Sequence, residues 1–230
     1  DGGVPLRFAM LPEMLSTKFG FVCHHVGKWH LGFSRKGMTP TERGFLTSFG
    51  FFHWGIDYWS HRFPPEYAVS RGQGCQGYDM VNASALSDQL TPVGDQVAGT
   101  STAQLFSTES RMRIQSHPTH IPLYLLVATQ HVHDPYTAPG ERLTVPESRS
   151  EYLRLVRELD QMIGGIVHTL KHRHMWNRTL LIFHSDNGGE LVFPHLCSSP
   201  ALSSLPFTGG AASNFPLRGG KFTTWEGGIR

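Results

Sequence analysis

A chain of 230 residues is long enough to bury a sizeable core and has the size of one domain or a large part of one. Its net charge of +2, from 20 basic and 18 acidic side chains, is too weak for a nucleic-acid binder, so no nucleic-acid partner is expected. The 14 histidines would add positive charge at acid pH and favour anionic ligands, and no apolar run approaches the roughly 20 residues of a membrane span.

In chain order, residues 11–18 read as a short helix feeding a strand over 21–26. That strand runs into Val26-Gly-Lys-Trp-His-Leu-Gly32, where Lys28 and His30 stand two apart. In an extended segment such residues point the same way, which would aim a fixed cation and a titratable imidazole at one oxyanion. Residues 63–99, rich in Gly, Pro, Ser and Gln, read as a long loop. A helix follows over 98–116, then an apolar strand, Ile121-Pro-Leu-Tyr-Leu-Leu-Val-Ala-Thr129, that ends in His131, His133 and Asp134 before Pro135 stops it. A lone histidine is more often structural than catalytic, and His131 is read that way.

The clearest helix spans 149–174, with Tyr152, Val156, Leu159, Ile163, Ile166 and Leu170 at helical spacing and Ser148 with Glu151 as its capping box. After it, Leu180-Leu-Ile-Phe-His-Ser-Asp-Asn-Gly-Gly189 reads as a buried parallel strand that delivers Asp186 and Asn187, with Gly188 and Gly189 turning the backbone. An Asn-Gly turn with no ligand gives the same local pattern. Carboxylate and amide oxygens suit Ca²⁺ or Mg²⁺ rather than zinc. Helix then strand recurs, so the expected fold is α/β, a mainly parallel sheet with helices on both faces. Three strand ends carrying Lys, His and Asp/Asn would share one pocket at the carboxyl edge of that sheet.

Four segments together resemble the sulfatase family: Val26-Gly-Lys-Trp-His-Leu-Gly32, Val132-His-Asp-Pro135, His184-Ser-Asp-Asn-Gly-Gly189 and Phe215-Pro-Leu-Arg-Gly-Gly-Lys-Phe-Thr-Thr-Trp-Glu-Gly-Gly-Ile-Arg230. Pro40-Thr-Glu-Arg-Gly-Phe45 and Trp176-Asn-Arg-Thr179 extend the likeness along nearly the whole chain, nearest to the arylsulfatase B (N-acetylgalactosamine-4-sulfatase) branch. The resemblance implies an alkaline-phosphatase/sulfatase-like fold, incomplete here, with residues 1–230 forming part of the catalytic domain. It also implies a sulfuric-ester hydrolase whose nucleophile is a formylglycine hydrate made by a formylglycine-generating enzyme. On that likeness Lys28 and His30 contact the hydrate and the sulfate, and His30 helps eliminate sulfate. His133 is the acid near the leaving oxygen, Lys221 holds the sulfate, and Asp186 and Asn187 bind one Ca²⁺ ion. Such a site combines covalent catalysis, acid–base groups and preorganised positive charge.

None of the three cysteines, Cys23, Cys75 and Cys197, lies in the Cys/Ser-x-Pro-Ser/Thr-Arg motif that formylglycine formation requires. The chain therefore reads as an internal piece whose nucleophile lies upstream, inactive by itself and weak for calcium. An odd cysteine count leaves no disulfide to assign. Leu46 departs from the family's common Gly-Phe-Asp, and Gly220 replaces a larger basic residue, so the substrate rim differs from the 4-sulfatase pattern. Residues 190–213 exceed the family's usual connection. The sequons Asn82-Ala-Ser84 and Asn177-Arg-Thr179 and the resemblance point to a lysosomal or secreted glycoprotein acting on a sulfate ester, a sulfated glycosaminoglycan among the candidates. Two other readings stay open: a phosphoesterase of the same superfold with two zinc ions, and a noncatalytic homologue that binds sulfated glycans.

Overall fold

The computed structural model describes residues 2–63, 77–87, 89–133, 145–190 and 211–229. Its elements are, in order, α1 (Leu11–Phe19), β1 (Val22–Lys28), β2 (Thr47–Phe51), β3 (Val81–Ser84), β4 (Gln89–Pro92), α2 (Gly94–Val97), α3 (Thr102–Ser116), β5 (Leu123–Ala128), α4 (Val145–His172) and α5 (Glu226–Ile229). The chain divides into two compact units, Asp1–His131 with Asp160–Asn177, and Val132–Leu159 with Arg178–Arg230.

The first unit is built on a five-stranded sheet in the order β4-β3-β2-β1-β5. The expected α/β class holds: β1 lies parallel to both β2 and β5. Beyond β2 the pairing turns antiparallel through β3 and β4, so the parallel core carries an antiparallel hairpin. Register explains the two faces, because residues in register on neighbouring strands share a side. Phe49 and Phe51 of β2 meet Phe106 of α3, and Leu123 and Leu125 of β5 pack with Ile114, Ile166 and Leu170. On the opposite face Cys23, Tyr124 and Leu126 pack with Met10, Leu15, Trp29 and Phe45. Helices thus cover both faces of this sheet.

Local chemistry explains the element ends. The Glu13 carboxylate accepts from the Met10 N–H at 2.5 Å at the start of α1, and Gly20, in the left-handed region at φ 68°, closes its end with an N–H to Leu15 O. At the centre of the sheet Gly27 has φ 109°, and a Cβ there would come within 2.1 Å of Ala128 O, so only glycine lets β1 and β5 approach.

Several expectations are corrected. The helix expected over 98–116 starts at Thr102, because Gly99 turns left-handed at φ 87° and Ser101 caps α3 by accepting from Gln104 N at 3.3 Å. The loop expected over 63–99 holds β3, β4 and α2 where it is described. These four-residue strands are too short to carry a clear period and exist through their ladders, β3 on β2 and β4 on β3. Residues 64–76 of that loop and most of the 190–213 connection lie outside the described residues, as do Asp134 and Pro135. α4 starts at Val145 rather than after Ser148, since Pro146 in a first helical turn loses no hydrogen bond. Its buried stripe runs Leu155, Met162, Thr169 and Leu170, and Val156 points outward.

The strand expected at 180–183 is absent. Leu180, Ile182 and Phe183 are 84%, 73% and 68% exposed, and no described strand pairs with them. An apolar run makes a strand only where a ladder partner satisfies its backbone. The argument from three strand ends is therefore reduced to two.

Candidate active site

Lys28 closes β1 half-buried, and His30 two residues later is exposed. Between them Trp29 is buried, and its indole N–H donates to Gly32 O at 2.9 Å and Met38 O at 3.0 Å, which folds the chain back on itself. His30 N donates to Phe52 O at 3.1 Å and the residue adopts φ 49°, so the extended backbone ends at His30 itself. Beneath Lys28, His25 is wholly buried. Its Nε2 donates to Lys28 O at 3.1 Å, and its Nδ1 accepts from the Ser48 hydroxyl at 2.8 Å. Burial pushes the His25 pKa down to about 4, against a smaller upward pull from the Lys28 carbonyl. His24 is also lowered to about 4, by burial and then by the charges of Arg113 and His117. His131 is buried, its Nδ1 lies 3.2 Å from Thr129 Oγ1, and its ring meets Tyr58 edge-on.

The second unit assembles the remaining candidates on two facing turns. Lys221 Nζ lies 3.0 Å from His133 Nε2. An ammonium only donates, so Nε2 is the acceptor in this pair. Glu190 Oε2 is 3.9 Å from the same Nζ, a carboxylate partner that the sequence reading missed. The Lys221 N–H donates to Gly189 O at 3.0 Å, and Gly188 N–H to Gly228 O at 3.0 Å, tying the Asp186–Gly189 turn to the 218–228 turn.

Asn214, also missed, clamps that junction. Its Oδ1 accepts from Gly189 N at 2.8 Å, and its Nδ2 donates to Gly189 O at 2.8 Å and Gly219 O at 3.2 Å. No residue type or spacing in Ala-Ala-Ser-Asn-Phe marks such a role. Glycine is required at Gly228, where a Cβ would meet Thr223 O at 2.2 Å. His133 and Lys221 are thus brought together, and Asp186 and Asn187 hang on a turn bonded to the Lys221 backbone.

Asp186 is exposed and Asn187 half-buried. Their oxygens fit a hard cation in kind. They supply two donors of the six to eight that Ca²⁺ takes, and no cluster of three or more His, Cys, Asp or Glu side chains suited to a metal occurs among the described residues.

The first unit thus carries a Lys-x-His turn at the end of β1 and the second a Lys–His pair beside an Asp-Asn-Gly-Gly turn, each a set of groups suited to an oxyanion. The sulfatase family profile matches residues 2–230, and the chain belongs to that family. It is 36% identical to arylsulfatase J of Mus musculus over 99% of this chain and 34% of that protein. It is 32% identical to N-acetylgalactosamine-6-sulfatase of Homo sapiens over 100% of this chain and 39% of that protein. The chain therefore spans well under half the length of these relatives. Among solved structures, Ps i-CgsB, crystallised with k-i-k-neocarrahexaose, superposes with a TM-score of 0.71 at 25% identity over 99% of this chain and 47% of its own. These relatives support the family and not the 4-sulfatase type in particular. Among the described residues no helix is long and apolar enough to cross a membrane.

Proposed function

We propose that the whole protein is a sulfuric-ester hydrolase that releases sulfate from sulfated sugars. The observation that carries this reading is the 3.0 Å pair of Lys221 Nζ and His133 Nε2, held on the turn that follows Asp186 and Asn187. Lys221 supplies fixed positive charge where negative charge develops on the sulfate and ester oxygens. The proton that the leaving oxygen takes up as the sulfur–oxygen bond breaks comes from His133 as imidazolium, which neutralises the leaving alcohol and leaves the Lys221 charge in place. Lys28 and His30 contribute a second cation and a titratable imidazole. Asp186 and Asn187 would hold one Ca²⁺ ion, which when bound adds positive charge against the sulfate oxygens. The nucleophile is the formylglycine that the family likeness implies, on a residue outside this chain.

The relatives' names and the k-i-k-neocarrahexaose in complex with Ps i-CgsB support a sulfated glycan as substrate, a glycosaminoglycan included. Asn82 and Asn177 are both exposed, which supports glycosylation in a lysosomal or secreted protein. The test is the full-length protein co-expressed with a formylglycine-generating enzyme and assayed on matched aryl sulfate and aryl phosphate. Faster sulfate release supports the proposal. A reversed preference would move the assignment to a phosphoesterase, and tight binding of sulfated glycan without turnover would make the protein a binder.

A further inference from the structure

Phe33 follows His30 by three residues in the first unit and is 44% exposed. Its ring stacks on Phe52, with centroids 5.5 Å apart and planes 13° from parallel, and meets the His53 ring edge-on at 4.9 Å. Phe52 and His53 are half-buried, so the three rings form a shelf of which Phe33 is the open part.

Both ends of this shelf are fixed through the backbone. The buried Asp79 carboxylate accepts from Phe52 N at 3.0 Å and from His53 N at 2.7 Å, two charge-assisted bonds that hold adjacent residues in one orientation. At the other end the Trp29 indole donates to Gly32 O at 2.9 Å, and a Cβ at Gly32 would lie 2.7 Å from Gly3 Cα, so the residue before Phe33 is closely confined. The shelf also shares its backbone with the Lys28–His30 turn. Phe52 O accepts from His30 N at 3.1 Å, and Phe51 O from Trp29 N at 2.8 Å. A ligand whose anionic group rests on that turn therefore has the shelf beside it.

The size of the shelf selects its occupant. A protein partner covers roughly 800 Å² on each side, whereas aromatic rings of about 150–250 Å² apiece, at these exposures, leave on the order of 200 Å² at most. One ring-sized ligand is what fits. The face of an aromatic ring is negative, and the C–H bonds on one face of a pyranose are weakly positive, so a sugar can lie on the ring while its hydroxyls stay in water. An anion with a C–H face next to it is a sulfated sugar.

We propose that Phe33, backed by Phe52 and His53, is the stacking platform for the sugar ring whose sulfate rests on the Lys28–His30 turn. This depends on the sulfatase reading above and deepens it, because the substrate is then recognised by the C–H face of its ring as well as by its sulfate. The experiment is calorimetric titration of the full-length protein with sulfonates, whose carbon–sulfur bond is not hydrolysed. Methanesulfonate is the anion without a ring, and the sulfonate analogues of monosulfated hexoses and N-acetylhexosamines supply the ring.

The parent should bind at least one sugar sulfonate about tenfold more tightly than methanesulfonate, the scale of one aromatic stacking contact. In Phe33→Ala that preference should fall to about twofold or less, and Phe33→Tyr, which keeps a ring, should retain it. Methanesulfonate affinity should be the same in all three proteins. An equal preference in parent and Phe33→Ala, or no sugar sulfonate preferred over methanesulfonate, would overturn the platform. So would a parent dimer in sedimentation that Phe33→Ala dissociates, since a second copy would then be the occupant. Faster release of phosphate than of sulfate from matched aryl esters, with the Phe33-dependent preference intact, would overturn the sulfatase reading instead, so the two failures are separable.

Discussion

Acidification should weaken this fold through His25, and the size of the effect follows from its surroundings. The imidazole is wholly buried under Lys28, with Nε2–H on a carbonyl and Nδ1 on a hydroxyl, and its pKa is lowered from 6.5 to about 4. Because the folded state favours the neutral ring, the unfolded chain takes up the proton first. The stabilisation is complete above pH 6.5 and is lost as pH falls from there through about 4. Between pH 7.5 and 4.5 the difference in proton uptake costs about 2.5 kcal/mol for this one ring. His24 acts in the same direction. The measurement is urea unfolding at both pH values for the parent and for His25→Gln, whose amide can still donate to Lys28 O. The variant should lose less stability on acidification than the parent, by about 2.5 kcal/mol. Equal acid losses, or an NMR titration of His25 near 6.5, would refute the reasoning. The same sign means that an acid compartment works against β1, a cost that ligand binding to the native state would have to offset.

Replacing Lys221 by Gln removes the charge beside His133, and kcat/KM on an aryl sulfate should fall by about 10²–10³ with little change in melting temperature; a smaller loss would take Lys221 out of the reaction. Gly27→Ala puts a methyl group against Ala128 O in a backbone at φ 109°, so unfolding by denaturant should show a loss of about 3 kcal/mol or more, whereas an unchanged midpoint would mean that β1 and β5 are not so closely set. Chelation with EGTA should abolish sulfate release by the full-length protein, Ca²⁺ should restore it and Zn²⁺ should not, and Asp186→Asn should raise the Ca²⁺ concentration needed; recovery with Zn²⁺ alone would favour the phosphoesterase reading.

Local patterns are enough for α1, β1, β5 and α4, because a helical stripe or a short apolar run carries its own period, and their spans agree with the observed ones to within a few residues. The motifs around Lys28, His30, His133, Asp186, Asn187 and Lys221 are equally a matter of sequence, since residue type and order identify them. What needs tertiary structure is whatever depends on a partner. β3 and β4 are short, and they are strands because β2 offers a ladder to β3 and β3 one to β4, whereas Leu180–Phe183 is apolar and is no strand among the described residues because nothing there pairs with it. Lys28 and His30 look like members of one extended segment, but the backbone leaves the extended region at His30, φ 49°, where the Trp29 indole holds Gly32 and Met38. The contacts of Lys221 with His133 and Glu190, 88 and 31 positions away along the chain, and the Asn214 clamp on Gly189 exist only once distant turns meet. Sequence carries the residue types and their local periods, whereas partner, register and approach distance are properties of the folded chain alone.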